Sequence, residues 1–207
     1  MQYIFIHGLG QNSSGWDKTI SFMTKPIRAV CPDLSVLLND KEVTYANLYR
    51  AFSDYCKDIS EPLNLCGLSL GGVLALNYAI DYPTRVQSLV LISAQYKMPK
   101  ALLKLQNAIF RFMPESAFKT MGFKKKDFIR LTNSMIDIDF SKKLKDISCA
   151  ALVLCGSKDG ANKRAAKNLA DNIPGAEFQL VENASHEVNA ENPQELAFKL
   201  ETFYQKQ

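Results

Sequence analysis

The sequence predicts an α/β fold in which a mainly parallel sheet of about six strands carries helices on both faces. Short apolar segments alternate with longer segments of helical period, and this order is typical of parallel strands joined by crossover helices. Several short segments are apolar on both sides of the strand, as expected where helices cover both faces of a sheet. The predicted strands are 3–6, 27–31, 63–66, 88–92, 150–155 and 177–181.

Five longer segments have the period of helices. Asn162 and the pair Asn192-Pro193 are suitable helix starts, since proline is favoured in the first helical turn. The 207 residues and the 47% apolar content are sufficient for one domain, residues 1–207, with a sizeable core. The predicted helices are 15–24, 44–59, 70–81, 162–172 and 193–204.

Residues 95–145, called the lid below, interrupt this alternation after the fourth strand. They show no strand pattern and are predicted to form three or four short helices. So long a connection is unusual for a plain loop and indicates a functional insertion. Leu105, Ile109 and Phe112 recur on one helical stripe together with Leu102, and we expect these three residues to bind substrate in the catalytic pocket.

Positive charge is concentrated in the lid. The segment from Tyr96 to Lys145 has 12 Lys and Arg against 4 Asp and Glu, a net charge of +8, whereas the whole chain has +4. We expect the lysines at 124–126 to be solvated. The alternatives are attraction of acidic substrates and contact with an anionic membrane surface, and nothing beyond the charge itself indicates nucleic-acid binding.

The N-terminal residues and the cysteine count indicate a cytoplasmic protein. The first ten residues, MQYIFIHGLG, contain no basic segment followed by a long apolar stretch, so no signal peptide is expected. The sequence has no run of about 18 apolar residues, so no transmembrane helix is expected. Five cysteines without a Cys-x-x-Cys pair favour reduced thiols over a disulfide framework or a zinc site.

A serine lies between glycines where a predicted strand meets a predicted helix. Residues 67–72, GLSLGG, have the spacing of a nucleophile elbow, a sharp turn that exposes the serine hydroxyl. The alternative is a glycine-rich turn with an incidental serine. A phosphate-binding loop is excluded because the segment has neither the required spacing nor a Gly-Lys-Ser/Thr ending. The sequence therefore predicts Ser69 as a nucleophile.

Backbone N–H groups near Ser69 are expected to bind the negative oxygen that forms when a serine attacks a carbonyl group. Leu70 follows the nucleophile and is predicted to supply one N–H group. Leu9, in the loop after the first strand, is predicted to supply the second. His7 ends that strand and is an alternative candidate for the catalytic base, but we expect it to order the loop through hydrogen bonds.

Two further polar residues follow late strands, at the edge where parallel sheets bind ligands. Asp159 lies four residues beyond the fifth predicted strand and His186 five residues beyond the sixth. The chain order Ser69, Asp159, His186 matches that of hydrolases with a nucleophile elbow, so we predict His186 as the base and Asp159 as its acid partner. Glu182 and Glu187 are the alternatives for the acid because they lie close to His186 in the sequence.

The motifs that carry a family resemblance are HGLG at 7–10, GLSLGG at 67–72, Asp159 in GSKD, His186 in ASHEVNAENP, CPDLS at 31–35 and DYPTRVQSLVLIS at 81–93. They resemble those of the α/β-hydrolase fold superfamily over nearly the whole chain outside the lid. The resemblance implies an α/β-hydrolase sheet with a helical lid inserted at 95–145. The sequence departs from the family at one point: it starts at the His-Gly strand, so we expect a sheet of about six strands without the two N-terminal antiparallel strands that are common in the family.

The resemblance also implies an activity. A serine hydrolase of carboxylesterase type would cleave a small or medium-sized ester through an acyl-enzyme intermediate, with a small-molecule ester as its partner and no need for a metal or an organic cofactor. Two alternatives remain open. One is another reaction of the same residues, such as hydrolysis of a thioester, an amide or a carbon–carbon bond. The other is a non-catalytic protein that binds a small ligand on the same fold.

Overall fold

The computed structural model describes residues 1–118 and 122–207, apart from the Leu102 side chain, and contains a sheet of six parallel strands. The α/β fold and all six predicted strands are confirmed. The order across the sheet is β2-β1-β3-β4-β5-β6. The strands are β1 (Gln2–Ile6), β2 (Ala29–Val30), β3 (Leu63–Leu68), β4 (Val86–Ile92), β5 (Ala150–Gly156) and β6 (Glu177–Val181).

The helices include all five predicted from the sequence. They are α1 (Asp17–Ser21), α2 (Leu34–Leu38), α3 (Tyr45–Lys57), α4 (Leu70–Asp81), α5 (Lys100–Phe112), α6 (Lys125–Ser134), α7 (Lys163–Asn172), α8 (Val188–Glu191) and α9 (Pro193–Tyr204). α1 is shorter than expected because Ser13–Trp16 form a 3-10 turn before it. The sequence pattern does not predict α2 and α8. Within the described ranges, no helix has the length and apolar character needed to cross a bilayer.

The strand order brings the first loop and the serine turn side by side. β2 and β3 pair with opposite sides of β1. The strand order therefore reverses at β1: the chain adds β2 on one side and all later strands on the other. The crevice beyond the carboxyl ends of β1 and β3 is therefore a topological switch point, where open α/β sheets bind their ligands. His7 follows β1 directly and Ser69 follows β3 directly.

Apolar layers on both faces of the sheet form the core. Ile4 and Leu65 pack in one layer, whereas Phe5 and Cys66, their neighbours in the chain, pack in the other. All four side chains are fully buried. Truncation of such a leucine to alanine typically costs about 2–5 kcal/mol of unfolding free energy. The covering of both faces explains why these strands lack polar alternation.

The lid packs on the main core through its second helix. Phe128 and Leu131 of α6 are buried in the same apolar layer as Ile4 and Leu65. α6 packs against α3, and α5 packs against α6, so α5 forms the outer layer of the lid. Because β4 and β5 are adjacent and parallel, the lid also provides the crossover connection between them.

The apolar stripe of α5 faces outward. Leu105, Ile109 and Phe112 are 58, 53 and 90% exposed, whereas Leu103 and Asn107 on the opposite side are buried. The exposure of Leu105, Ile109 and Phe112 gives no support to a place in a closed substrate pocket. The binding role of these three residues stays a prediction. A cleft of about 390 Å³ in the lid has different walls, which are Glu115, Phe118, Gly122, Phe123 and Lys124.

Candidate active site

Ser69 lies in a strained turn between β3 and α4. Its backbone has φ 51° and ψ −112°, a conformation that costs a residue other than glycine about 1–3 kcal/mol. The turn is held by the Ser69 N–H group, which donates to the Ile92 carbonyl over 2.8 Å. A Cβ atom on Gly67 would clash with the Gly71 backbone, and one on Gly71 would clash with the Ile6 carbonyl. The glycines thus allow α4 to approach β1 and β3 closely.

The structure brings together the three side chains that the sequence singled out for catalysis. Ser69 Oγ lies 3.0 Å from His186 Nε2, and His186 Nδ1 lies 3.0 Å from Asp159 Oδ2. The Asp159 carboxylate is buried, whereas 43% of the His186 side chain is exposed. A buried carboxylate that accepts from Nδ1–H leaves Nε2 free to accept the serine proton. The arrangement therefore has the geometry of an activated nucleophile.

Hydrogen bonds keep Asp159 ionised in spite of its burial. Burial alone would raise the pKa of Asp159, but hydrogen bonds from His186 and Asn162 outweigh it and hold that pKa below its ordinary value. The Asn162 amide donates to both carboxylate oxygens, over 2.9 and 3.0 Å. The carboxylate is therefore negative at neutral pH and available to stabilise a positive imidazole ring.

Asn162 and Gln95 belong to the same hydrogen-bond network, although no sequence motif marks them as site residues. Gln95 Nε2 donates to Asn162 Oδ1 over 2.6 Å, which orients the Asn162 amide nitrogen toward Asp159. Asn162 is also the residue that precedes α7, as predicted, but its side chain makes no capping hydrogen bond to that helix. A helix-capping residue type close after Asp159 is the only signal that the sequence offers for this contact.

The loop that carries His186 is fixed from two sides. The Glu191 carboxylate accepts from the Ser185 N–H group over 2.8 Å and from the Glu187 N–H group over 3.1 Å. Gly156, at the end of β5, lies against the Ser185 carbonyl so closely that a Cβ atom would overlap with it. The position of the imidazole ring therefore depends on a glycine in the neighbouring strand.

Replacing Gly156 by alanine is expected to reduce catalytic turnover that depends on His186 far more than the same change at Gly160. The added methyl group at position 156 must displace the loop before His186, whereas a Cβ atom on Gly160 would meet no atom within 4 Å. Displacements of about 1 Å can cost about 10²-fold in rate. Kinetic constants and unfolding temperatures of both variants are the measurements. Equal activity of the two variants would show that the close approach does not position His186.

Both alternative acids lie outside the network. Glu182 and Glu187 are exposed, and His186 Nδ1 is directed to Asp159 instead. Within the described part of the chain, neither glutamate side chain has a hydrogen bond to His186. The geometry therefore favours Asp159 as the acid partner.

The loop after β1 lies beside the serine turn. A Cβ atom on Gly8, the residue before Leu9, would lie 3.6 Å from Ser69 Cβ, so this part of the loop lies beside the nucleophile. Among residues 1–118 and 122–207, the N–H groups of Leu9 and Leu70 have no hydrogen-bond acceptor. Two unpaired donors next to a serine are what a developing oxyanion requires. Their role in the reaction stays a prediction.

A reciprocal pair of amides connects this loop to the loop of His186. Gln11 Nε2 donates to Asn189 Oδ1, and Asn189 Nδ2 donates to Gln11 Oε1, each over 3.1 Å. Asn189 is fully buried and also donates to the Gly15 carbonyl over 2.9 Å. The pair fixes the first loop relative to the segment that follows the imidazole.

His7 orders the loop and does not act on Ser69, as expected from the sequence. Its Nε2 atom accepts from the Leu34 N–H group over 3.1 Å, so Nδ1 carries the proton and donates to the Gly8 carbonyl over 2.8 Å. The ring is buried, and burial lowers the pKa of His7 although the Gly8 carbonyl and Asp33 favour the charged form. His7 is therefore a neutral structural residue.

The lowered pKa of His7 predicts a loss of stability in mild acid. Above about pH 6.5, the ordinary histidine pKa, the ring is neutral in both the folded and unfolded chain. As the pH falls below that value, the unfolded chain binds a proton first, so the free energy of unfolding decreases. The expected loss between about pH 7.5 and 5.5 should be smaller in a His7→Gln protein.

The measurement uses His186→Gln as the background in both proteins, so that His7 is the only histidine that differs. Urea unfolding at each pH gives the free energies. Identical pH dependence with and without His7 would show that its ring does not titrate differently in the folded chain.

These features define the class of an α/β hydrolase. Residues 3–199 match the alpha/beta hydrolase family, and the chain belongs to that family. Mouse (Mus musculus) monoacylglycerol lipase ABHD6 is 21% identical over 94% of this chain and 72% of the relative. Pimeloyl-(acyl-carrier protein) methyl ester esterase of Vibrio campbellii is 23% identical over 88% of this chain and 86% of the relative.

Solved structures share the same fold. A thermophilic esterase from Thermogutta terrifontis superposes with a TM-score of 0.79 at 19% identity, covering 100% of this chain and 90% of the esterase. An enol-lactonase from Burkholderia xenovorans superposes with a TM-score of 0.81 at 17% identity, covering 99% of this chain and 91% of the lactonase. At these identities the likeness establishes the fold.

Proposed function

We propose that this protein is a serine hydrolase that cleaves small to medium-sized carboxylic esters through an acyl-enzyme intermediate. The observation that carries the proposal is the pair of 3.0 Å contacts from Ser69 through His186 to Asp159. The names of the mouse and Vibrio relatives describe enzymes that act on esters, which favours an ester as the bond cleaved. The fold alone is compatible with many reactions.

In the first half of the reaction, His186 Nε2 accepts the Ser69 proton while Ser69 Oγ attacks the carbonyl carbon of the ester. The carbonyl oxygen becomes negative, and the N–H groups of Leu9 and Leu70 donate hydrogen bonds to it. Asp159 stabilises the positive imidazole ring and holds it in the productive orientation. When the tetrahedral intermediate collapses, His186 gives its proton to the leaving alcohol and the acyl group stays on Ser69.

In the second half, water takes the place of the alcohol. His186 Nε2 accepts a proton from the water, whose oxygen attacks the acyl carbon, and the same N–H groups bind the new oxyanion. Collapse releases the carboxylic acid and returns the proton to Ser69. Each proton transfer uses the same nitrogen atom, which explains why one histidine is sufficient.

The thiols support a reducing compartment for this activity. All five cysteines are free, and burial raises the pKa of Cys155 to about 11, which makes its thiol unreactive at neutral pH. Free thiols are typical of proteins in reducing compartments, and we propose the cytoplasm as the location.

A substrate panel tests the reaction class. We expect p-nitrophenyl esters of short and medium acyl chains to give an initial burst of p-nitrophenol, because acylation of the serine precedes a slower deacylation. Thioesters and anilides with the same acyl groups distinguish the alternative reactions. Preferred turnover of either would replace the ester as the proposed substrate class.

The matched control is the His186→Gln protein, which keeps a polar side chain but removes the base. It should show neither burst nor turnover. If the wild-type protein cleaves none of the three substrate types and also resists a fluorophosphonate probe, the protein is a binder and the hydrolase proposal is wrong.

A further inference from the structure

The outer helix of the lid exposes its more apolar face. Ala101, Leu105, Ala108, Ile109 and Phe112 are all exposed, and their spacing places them on one side of α5. Leu105, Ile109 and Phe112 are among the large apolar side chains that are exposed in the described part of the chain. A contiguous apolar face of this kind marks an interaction surface more often than an isolated exposed leucine does. We call these five residues the α5 face.

The orientation of α5 is fixed by polar contacts on its buried side. Asn107 is buried, its Nδ2 atom donates to Asn133 Oδ1 over 2.7 Å, and its Oδ1 atom accepts from the Thr132 hydroxyl. Phe110 packs edge-on against Phe128 of α6. Rotating the helix to bury the α5 face would leave these amides without partners. The outward direction of the α5 face is therefore specified by the sequence.

Cations lie along one border of the α5 face and at one of its ends. Lys104 and Arg111 are exposed along one border of it. The Lys125 ammonium group donates to the Arg111 and Met113 carbonyls over 2.7 and 2.6 Å, which brings the basic residues 124–126 to the end of α5 that carries Phe112.

Opposite charges do not cancel these cations. In residues 1–118 and 122–207, the side chains of Lys104, Arg111, Lys124 and Lys126 have no carboxylate within 4.0 Å. Glu115 and Asp127 are the acidic residues near this end of the helix in the sequence, against five basic residues from 104 to 126 that the structure describes. An apolar stripe bordered by Lys and Arg is the pattern of a helix that lies in a membrane interface.

We propose that the α5 face docks on an anionic lipid surface. Leu105, Ile109 and Phe112 enter the boundary between headgroups and acyl chains, while Lys104 and Arg111 contact the negative headgroups. A second copy of the chain fits this face less well, because each copy would bring the same positively charged border to the contact and the two borders would repel each other. The proposal does not depend on catalysis, so it can be tested in a protein without the nucleophile.

Vesicle sedimentation tests the proposal with the full-length Ser69→Ala protein. Vesicles of phosphatidylcholine alone and vesicles that also contain phosphatidylglycerol are the two arms. We expect binding to the anionic vesicles at least about tenfold tighter than to the neutral ones, and weaker binding as the salt concentration rises. Binding to neither vesicle type, or equal binding to both, would overturn the proposal.

Two pairs of substitutions locate the contact. The double variant Ile109→Ser with Phe112→Ser should lose about tenfold or more in vesicle affinity. The matched control is Val36→Ser with Phe198→Ser, which removes two apolar side chains that are 72 and 68% exposed outside the lid, and it should bind as before. Equal losses in both double variants would show that the α5 face is not the contact.

A fluorescence reporter covers the case in which a serine variant unfolds. Trp16 is the only tryptophan and is fully buried, so Phe112→Trp adds a second, exposed reporter. Its emission should shift to the blue with anionic vesicles and stay unchanged with neutral ones. No shift with anionic vesicles would overturn the proposal, as would concentration-dependent dimers that vanish in the Ile109→Ser, Phe112→Ser protein.

Substrate binding by the α5 face has a different signature. If the serine variants of Ile109 and Phe112 changed the acyl-chain preference of the wild-type enzyme on soluble esters but not its vesicle binding, the face would contact substrate and the proposal would be wrong.

Discussion

The Ser69→Ala protein is expected to lose about 10⁴- to 10⁶-fold in ester turnover while it keeps its fold. Removal of the hydroxyl deletes the atom that forms the acyl bond, and a water molecule activated by His186 lacks the fixed position of that hydroxyl beside the carbonyl carbon. The strained backbone at position 69 remains, so the unfolding temperature should change little. Steady-state kinetics on a p-nitrophenyl ester and a thermal unfolding curve are the measurements.

A fluorophosphonate probe locates the nucleophile independently of turnover. Only an activated serine attacks such a phosphorus centre at neutral pH, so the wild-type protein should be labelled at Ser69 and the alanine variant should not be labelled. Peptide mapping identifies the labelled residue. A label on Ser185, the neighbour of His186, or on Ser13 or Ser14 in the first loop would remove Ser69 from its assigned role.

The Asp159→Asn protein is expected to lose about 10²–10⁴-fold in kcat. The amide keeps the size of the carboxylate but no longer stabilises a positive imidazole, and it permits the ring tautomer in which Nε2 carries the proton. Activated esters demand less from the base, so the loss should be smaller on p-nitrophenyl esters than on alkyl esters. Measuring kcat on both substrate types gives the comparison.

Matched glutamate variants complete this experiment. Glu182→Gln and Glu187→Gln each neutralise an exposed carboxylate near His186, and both should stay within a few-fold of the wild-type kcat because neither side chain contacts the imidazole. A nearly normal Asp159→Asn protein beside a strongly impaired glutamate variant would transfer the acid role to that glutamate.

The sheet and the order of the three site residues could be predicted because they depend on local pattern. β3 is buried at every position. A strand that is mainly apolar at both odd and even positions fits best in the middle of a sheet that helices cover on both faces. Ser69, Asp159 and His186 each follow a strand at the same edge of that sheet. Parallel strands bring such residues together whatever the intervening chain does.

The contacts of Gln95 and Asn162 could not be predicted because they are purely tertiary. Gln95 follows β4 and Asn162 precedes α7, and only the pairing of β4 with β5 brings the two amides together. The sequence correctly marks Asn162 as a helix start, which hides its second role. α2 and α8 are missed for a simpler reason, since isolated helices of five and four residues are too short to show a period. α1 is as short, but a 3-10 turn precedes it directly and lengthens the helical pattern.

The direction of α5 could not be predicted, because the helical period of apolar residues shows which side chains share a face but not whether that face points to the core or to solvent. Leu105, Ile109 and Phe112 form a clear apolar stripe, and such a stripe predicts a helix whose apolar side faces inward. Asn107 belongs by its type to the solvated side, yet it is buried because the side chains of α6 satisfy its amide. The hydrogen bonds of Asn107 to side chains of α6 favour the observed orientation, whereas the apolar content of α5 alone favours the opposite one.

The layering of the lid gives its two helices unequal local stability. α5 rests on α6 and leaves one whole face open, whereas α6 is embedded in the apolar layer that also covers the sheet. Amide protons of α6 should therefore exchange with solvent only when the whole domain unfolds, and those of α5 through smaller openings that cost less free energy. The chain can in this way release its outermost helix while the sheet and the serine turn keep their geometry.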